Sequence, residues 1–277
     1  MTFNSLQYVV FLAAILAVYF RLDRKGQNRL AVVASCVFYG LFDWRFLGLL
    51  WVSFLVDFTV ANLIQATDDD ARRKRLFLVS VVVELGILGF FKYADFFSDS
   101  VQDALGVVGL EADFFTLEVL LPVGISFYTF QTLAYVRSVY RREVEAERDL
   151  VDFAAFVSWF PQLVAGPIER ASTLLPQIQR RREKPPAPVA ESAVALILQG
   201  LFKKVVLADG VAAYVTTVYS QPGRHSWLAL SMATVGFAVQ VYGDFSGYTD
   251  IARGSSRLLG VELRRNFEQP FLSRDIQ

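Results

Sequence analysis

One cysteine and one histidine in 277 residues leave little room for two common kinds of chemistry. Cys36 alone cannot close an intrachain disulfide and gives no support to a cysteine-based metal cluster, so no metal site is expected. Within its apolar segment it reads as a small buried hydrophobe. His225 sits in the polar turn from Gln221 to Ser226, where a solvated loop residue is the expected role. An excess of either charge is also missing. With 27 basic and 27 acidic residues the formal net charge is +0, so no global field draws in nucleic acid or an acidic substrate. No basic residue precedes the first apolar run, Leu6 to Phe20, and no small-residue cleavage site follows it; the segment is expected to stay as a helix. Internal repeats and low-complexity tracts are absent, and only Arg180 to Pro188, with its charges and three prolines, reads as a linker.

What is abundant is apolar surface. Hydrophobic residues are 54% of the chain, charged residues 19%, and mean hydropathy is +0.40, which is too apolar for a soluble domain of this size and implies a lipid bilayer as solvent. The 25 Phe, 11 Tyr and 4 Trp suit helix contacts and interfacial anchoring. Mainly apolar runs recur at Leu6 to Phe20, Leu30 to Phe42, Phe46 to Ile64, Leu76 to Phe91, Val119 to Val136, Val151 to Ile168, Val194 to Val218 and Trp227 to Val241. Several fall short of the roughly 20 residues a crossing needs. The expected fold is therefore all-α: a polytopic integral membrane helical bundle, one domain over 1–277, with re-entrant and half-spanning segments.

The basic clusters orient these runs, because short cytoplasmic loops collect Lys and Arg. Arg21, Arg24, Lys25 and Arg29 form one cluster and Arg72 to Arg75 the next, so a hairpin turning at Asp43-Trp44-Arg45 puts both on the cytoplasmic side. The first three runs then read as spans. Tyr93 to Phe115 alternates aromatics with Asp95, Asp99, Asp103 and Asp113, the pattern of an amphipathic stretch on the outer surface. Basic residues stand on both sides of Val151 to Ile168, which holds Pro161, Gly166 and Pro167 and reads as a re-entrant segment. Lys203, Lys204 and Asp209 interrupt Val194 to Val218, whose charged middle is expected at an interface.

Ionisable groups at membrane depth are costly and mark candidate sites. Asp57 and Glu84 lie in apolar surroundings and should face the bundle interior, either as interhelical hydrogen-bond partners or on a substrate path. Tyr128 and Gln131 share a helical face with Tyr135, and could line a cavity or bond between helices. The segment Tyr242 to Asp250 follows the uncharged run Trp227 to Val241 and brings Asp244, Ser246, Tyr248 and Asp250 together with two glycines. Ser246, Asp250, Arg253 and Arg257 recur at i, i+4, i+7 and i+11, one face of a helix, on which Asp250 and Arg253 could pair. Asp244 has no cation beside it in the sequence and ranks first among the carboxylates. Acyl transfer to a hydroxyl needs a base, and His225 lies outside every such cluster.

Leu121 to Arg141, Phe160 to Ile168, Gly200 to Asp209 and Asp244 to Asp250 together resemble, in order, the membrane-bound O-acyltransferase family, within it the bacterial alginate O-acetyltransferase branch; Phe90 to Tyr93 and Asn266 to Phe271 fit as well. The resemblance implies a membrane enzyme of the bacterial inner membrane with a funnel through the bilayer. It would move an acetyl group from a cytoplasmic donor, acetyl-CoA or another acyl thioester, toward an extracytoplasmic polysaccharide, with extracytoplasmic acetyl-transfer proteins as partners and no bound cofactor. Asp244, Ser246, Tyr248 and Asp250 match the family's motif and are expected near the site, with Tyr128, Gln131, Asp57 and Glu84 along the substrate path. Ser138 stands where related sequences often carry aspartate. The family's catalytic histidine follows the block that here ends at Arg274 to Gln277, so the chain corresponds to an N-terminal portion and is expected to be inactive alone. A related branch moves a D-alanyl group, which leaves the acyl group open.

Two readings compete. A transporter or channel could route ions past Asp57, Glu84, Asp244 and Asp250, but would show paired interrupted segments in two halves, and none is found. The other is a structural or assembly subunit.

Overall fold

The computed structural model describes residues 1–107, 121–164, 166–267 and 270–272. Among these the chain is helical, with no strand. The helices are α1 (Leu6–Tyr19), α2 (Arg24–Gly40), α3 (Arg45–Gln65), α4 (Asp70–Val107), α5 (Ile125–Tyr140), α6 (Leu150–Ser158), α7 (Phe160–Leu163), α8 (Ala171–Ile178), α9 (Ala187–Leu201), α10 (Asp209–Ser220) and α11 (Trp227–Leu258). A π-helical segment, Phe202–Ala208, joins α9 to α10, and single 3-10 turns lie at Pro222–Arg224 and Pro270–Leu272.

The helix starts follow local chemistry. Ser5, Asp23, Asp149 and Ser226 each turn a side-chain oxygen onto a backbone N–H of the first turn, satisfying donors the helix itself cannot. At α5 the cap is Gly124, with φ at +77°, and a Cβ there would lie 2.7 Å from the Leu163 carbonyl oxygen. Only glycine permits both the left-handed turn and that approach.

Helices α3, α4 and α11 are long and apolar enough to cross a membrane. Their outward surfaces stay apolar: Val52, Leu55, Val79, Val82, Val235 and Phe237 are exposed, and only 11% of the apolar window of α11 is buried. Such surface needs lipid or further protein to cover it. Of the first three expected spans only α3 reaches full length. The 14 residues of α1 rise about 21 Å, short of a hydrocarbon core of roughly 30 Å. α2 opens with Arg24, Lys25 and Arg29, which take its first turns out of the apolar count.

The stretch from Tyr93 does not begin a separate surface element. α4 continues unbroken through Val107, because no proline or cap residue stops it; the side chains of Asp99 and Asp103, and the segment with Asp113, lie outside the described residues. The expected linker is also no loose tether. The buried Arg182 donates from Nε to the Tyr19 hydroxyl at 2.8 Å and exchanges backbone hydrogen bonds with the Gln27 amide, pinning the segment against α1 and α2.

Tertiary contacts gather the basic clusters on one face. There Arg24 pairs with Asp152 and Asn28 donates to the Ile178 carbonyl. Arg73 donates to the carbonyls of Ile64 and Tyr140, and Gln177 exchanges hydrogen bonds with the backbone of Glu262. The ends of α3, α5, α8 and α11 thus meet the starts of α2, α4 and α6. The turn before α3, with the Asp43–Arg45 pair, lies at the other end of those helices.

The core beneath is aromatic. Phe38, Phe54, Tyr135, Phe153, Phe156, Trp159 and Phe160 are buried, and the Trp159 indole N–H donates to Ser256 on α11 at 2.9 Å. The backbone breaks at Trp159, between α6 and α7, inside the run Val151 to Ile168.

Candidate functional site

The site grows out of one helix contact. Ala193, Gly200, Ala208 and Val215 meet Gly254, Gly247, Gly243 and Gly236 of α11 in reverse order, so the two helical stretches run antiparallel. The approach is very close: a methyl group at Gly200 would lie 2.5 Å from the Gly247 carbonyl oxygen, and one at Gly254 2.5 Å from that of Ala193. Small residues let backbones touch in this way, the main source of helix affinity inside lipid.

The π-helical segment lies at the centre of that seam. Its wider turns, a device frequent at functional sites, carry Lys203 and Lys204 against α11. Lys203 Nζ donates to Asp250 Oδ2 at 2.6 Å; Lys204 Nζ donates to Asp244 Oδ1 at 2.6 Å and to Asp209 Oδ1 at 2.7 Å. The two pairs bracket Gly247, whose missing side chain leaves room for the Lys203 Cβ and the Lys204 backbone. Each ammonium also faces a ring, Lys203 over Tyr242 at 5.9 Å and Lys204 over Tyr248 at 5.6 Å.

The cation that the sequence does not set beside Asp244 therefore arrives from 40 residues away. For Asp250 the expected partner, Arg253, stands at 3.7 Å, and Lys203 is closer. The charged middle of Val194 to Val218 is turned inward onto α11, with the Lys203 and Lys204 side chains only 17% and 15% exposed.

The predicted face of α11 holds. Ser246, Asp250, Arg253 and Arg257 all line one cavity of about 520 Å³ between α9, α11 and the segment Arg265 to Phe267. Tyr248 points the other way, toward Lys204 and Phe3.

The remaining candidates do not join this cavity. Asp57 and Glu84 are fully buried, where Ser80 donates to Asp57 Oδ1 at 2.6 Å and Ser53 to Glu84 Oε1 at 2.7 Å. Their second oxygens have no hydrogen-bond partner, and no Lys or Arg pairs with either among the described residues. Tyr128 and Gln131 share the buried face of α5 with Tyr135. Gln131 donates to the Phe156 carbonyl at 3.2 Å and accepts from Gln162 at 2.9 Å, so it bonds between helices. Among the described residues two of these carboxylates are met by hydroxyls and two are held by lysines, so the four do not line one path. His225 stays in the turn between α10 and α11.

Sequence reasoning missed Lys203, Lys204, Asp209 and Tyr242 as members of one constellation. The available signal was a Lys-Lys step beside Gly200 in an apolar run, with Gly243 and Gly247 at small-xxx-small spacing downstream. Chemically, charge-assisted hydrogen bonds fix both carboxylates and both ammonium groups in place. A preorganised cation of this kind stabilises negative charge that develops on a reacting oxygen.

Described residues that are helical throughout, with three bilayer-length helices seamed by glycines around partly buried ion pairs, define a membrane protein with a polar site between its helices. Over its full length the chain is similar to curated alginate O-acetylases, in line with the resemblance to the membrane-bound O-acyltransferase family. It is similar to the probable alginate O-acetylase AlgI of Pseudomonas syringae pv. tomato, 36% identical over 281 residues covering 100% of this chain and 53% of that protein. The peptidoglycan O-acetyltransferase of Helicobacter pylori is 31% identical over 94% of the chain and 54% of its own length. The teichoic acid D-alanyltransferase of Bacillus subtilis is 24% identical over 56% of the chain and 40% of its own length. The chain thus spans about half the length of the curated relatives it matches. No family model matches it.

Proposed function

We propose that the chain is part of a membrane O-acetyltransferase that passes an acetyl group from a cytoplasmic thioester, acetyl-CoA or a similar donor, to a hydroxyl of an extracytoplasmic polysaccharide. One observation carries the reading. The two blocks Gly200 to Asp209 and Asp244 to Asp250, both part of the resemblance and about 40 residues apart, fold onto each other as the ion-paired seam. Asp244, Asp250 and Tyr248 then act by holding Lys203 and Lys204 in position, and Ser246 stands on the substrate path. Asp57, Glu84, Tyr128 and Gln131 support the helices that frame it.

Basic clusters on a single face support a multi-pass topology in a bacterial inner membrane, that face being cytoplasmic. The break at Trp159 supports a re-entrant Val151 to Ile168. Extracytoplasmic acetyl-transfer proteins are the expected partners.

The test uses membranes that carry the complete reading frame containing this chain. Polysaccharide acetyl esters, counted by NMR, should form with a thioester donor and should fall at least tenfold in Asp244→Asn. Unchanged acetylation in that variant removes Asp244 from the mechanism, and no acetylation by the complete protein overturns the acyltransferase reading. Residues 1–277 expressed alone should give only background transfer.

A further inference from the structure

We propose that Asp57 and Glu84 form a proton-holding carboxyl pair that clasps α3, α4 and α5 together and loosens them when the proton leaves. The inference is independent of the acyl-transfer reading and rests on two helices that present the same pattern to each other. Ser53 and Asp57 are four residues apart on α3, and Ser80 and Glu84 four apart on α4, so each couple shares one helical face. The couples cross in reverse order. Ser80 Oγ donates to Asp57 Oδ1 at 2.6 Å, and Ser53 Oγ to Glu84 Oε1 at 2.7 Å. The two carboxylates thus lie about one helical turn apart along the axes, close enough for the charge of one to act on the other.

No cation answers that charge among the described residues. Asp57, Glu84, Ser53 and Ser80 are all 0% exposed. On α3 the only cation is Arg45, in its first position; on α4 the nearest, Arg75 and Lys92, stand more than two turns from Glu84. From α5 the pair is faced by Thr129, Thr132, Tyr128 and Tyr135, while Arg137 of that helix is exposed. Tyr39 of α2 stands next to Tyr128, and the cations of α2 fall in its first two turns. Glu147 lies beyond Tyr135, whose hydroxyl accepts its backbone N–H at 2.8 Å, and Asp152 of α6 is taken by Arg24. A second observation concerns donors. The free oxygen of each carboxylate and the buried hydroxyls of Thr129 and Tyr128 close no well-formed hydrogen bond among the described residues. A carboxylate can only accept; a carboxyl that keeps its proton supplies the O–H donor this cluster is short of. Buried carboxylates without a cation neutralise rather than stay charged, and two that share a site release their protons in separate steps.

With a proton in place the pair bonds across α3 and α4 and presents its oxygens to α5. Once the proton is lost, two anions face each other away from water, and the helices must part to admit solvent. A folded state that keeps a proton the unfolded chain has released loses stability as pH rises, so the clasp holds at neutral pH and weakens on the alkaline side. Infrared spectra of the complete protein in phosphatidylcholine nanodiscs at neutral pH should show the C=O stretch of a protonated carboxyl, lost in Asp57→Asn/Glu84→Gln. In detergent the parent's Tm should fall from neutral to alkaline pH, and the double variant, neutral throughout, should at least halve that fall. Glu84→Gln alone, with a weakened band and a shallower fall, replaces the double variant should the latter not fold. Spectra without a band that the variant removes, or Tm profiles that run parallel, overturn the inference. A parent Tm that rises with sodium ions, where the variant's does not, would put a metal cation in place of the proton and overturns it as well.

Discussion

Two pairs of carboxylates lie in the apolar body of this protein, and they are handled in opposite ways. Asp57 and Glu84, on α3 and α4, are sealed from solvent and meet serine and threonine hydroxyls rather than a cation among the described residues. Asp244 and Asp250, on α11, each meet a lysine ammonium at 2.6 Å, and Asp250 borders a cavity. An acid in an apolar run is the same signal in both places. What separates a packing element from a site is the compensating charge and the space beside it, and both come from another helix. Hydroxyl donors suffice where nothing needs to enter; fixed ammonium groups beside an opening can act on a ligand.

The largest effect should come from destroying one region while sparing the other. Gly247→Leu drives a side chain into the Gly200 carbonyl and should cost upwards of about 3 kcal/mol, read as a lowered Tm in detergent with loss of the α9–α11 seam. Gly86→Leu, where a Cβ meets nothing within 4 Å, should leave Tm nearly unchanged. Equal losses would show that the seam is not a close contact.

Next comes the charge itself. Lys203→Met leaves Asp250 with Arg253 alone and should cost about 2 kcal/mol, below the full value for a broken buried pair because Arg253 remains. Adding Asp250→Asn should restore most of that stability, and a double-mutant cycle in Tm reads the coupling. Independent, additive losses would mean that the pair does not interact.

Smaller still is the effect at the hydroxyl-bound pair. Asp57→Asn keeps an acceptor for Ser80, and Glu84→Gln one for Ser53, so each should change stability by under about 1 kcal/mol. A loss as large as that of Lys203→Met would erase the contrast between the two regions.

The smallest expected change is a pH slope. Glu169, in the loop before α8, is buried, and that burial raises its pKa above the usual carboxylate range against the Arg264 N–H it accepts from. A raised folded pKa means that the folded state holds the proton at pH values where the unfolded chain has released it. Its contribution therefore declines as pH rises through that range. Glu169→Gln should flatten this part of the Tm profile between acid and neutral pH, and an unchanged profile would place the titration elsewhere.

Much of the fold was legible because lipid imposes simple rules. Apolar runs predicted helices, and Ser246, Asp250, Arg253 and Arg257 predicted a shared face that the structure reproduces around one cavity. Less legible were the limits of elements. α4 runs past Tyr93 because alternating aromatics and aspartates are as compatible with a continuing helix as with a new surface one. The linker at Arg180 to Pro188 looked free, since nothing in its own sequence records that Tyr19 and Gln27 hold Arg182.

By itself, the order of residues determined the solvent, the helical class and which faces are polar, because hydropathy and a 3.6-residue period are local properties. Tertiary structure decided which carboxylates are neutralised and by what. Lys203 and Lys204 reach Asp250 and Asp244 only because glycines let α9, the π-helical turn and α11 close to backbone contact, and no spacing rule spans 40 residues of chain.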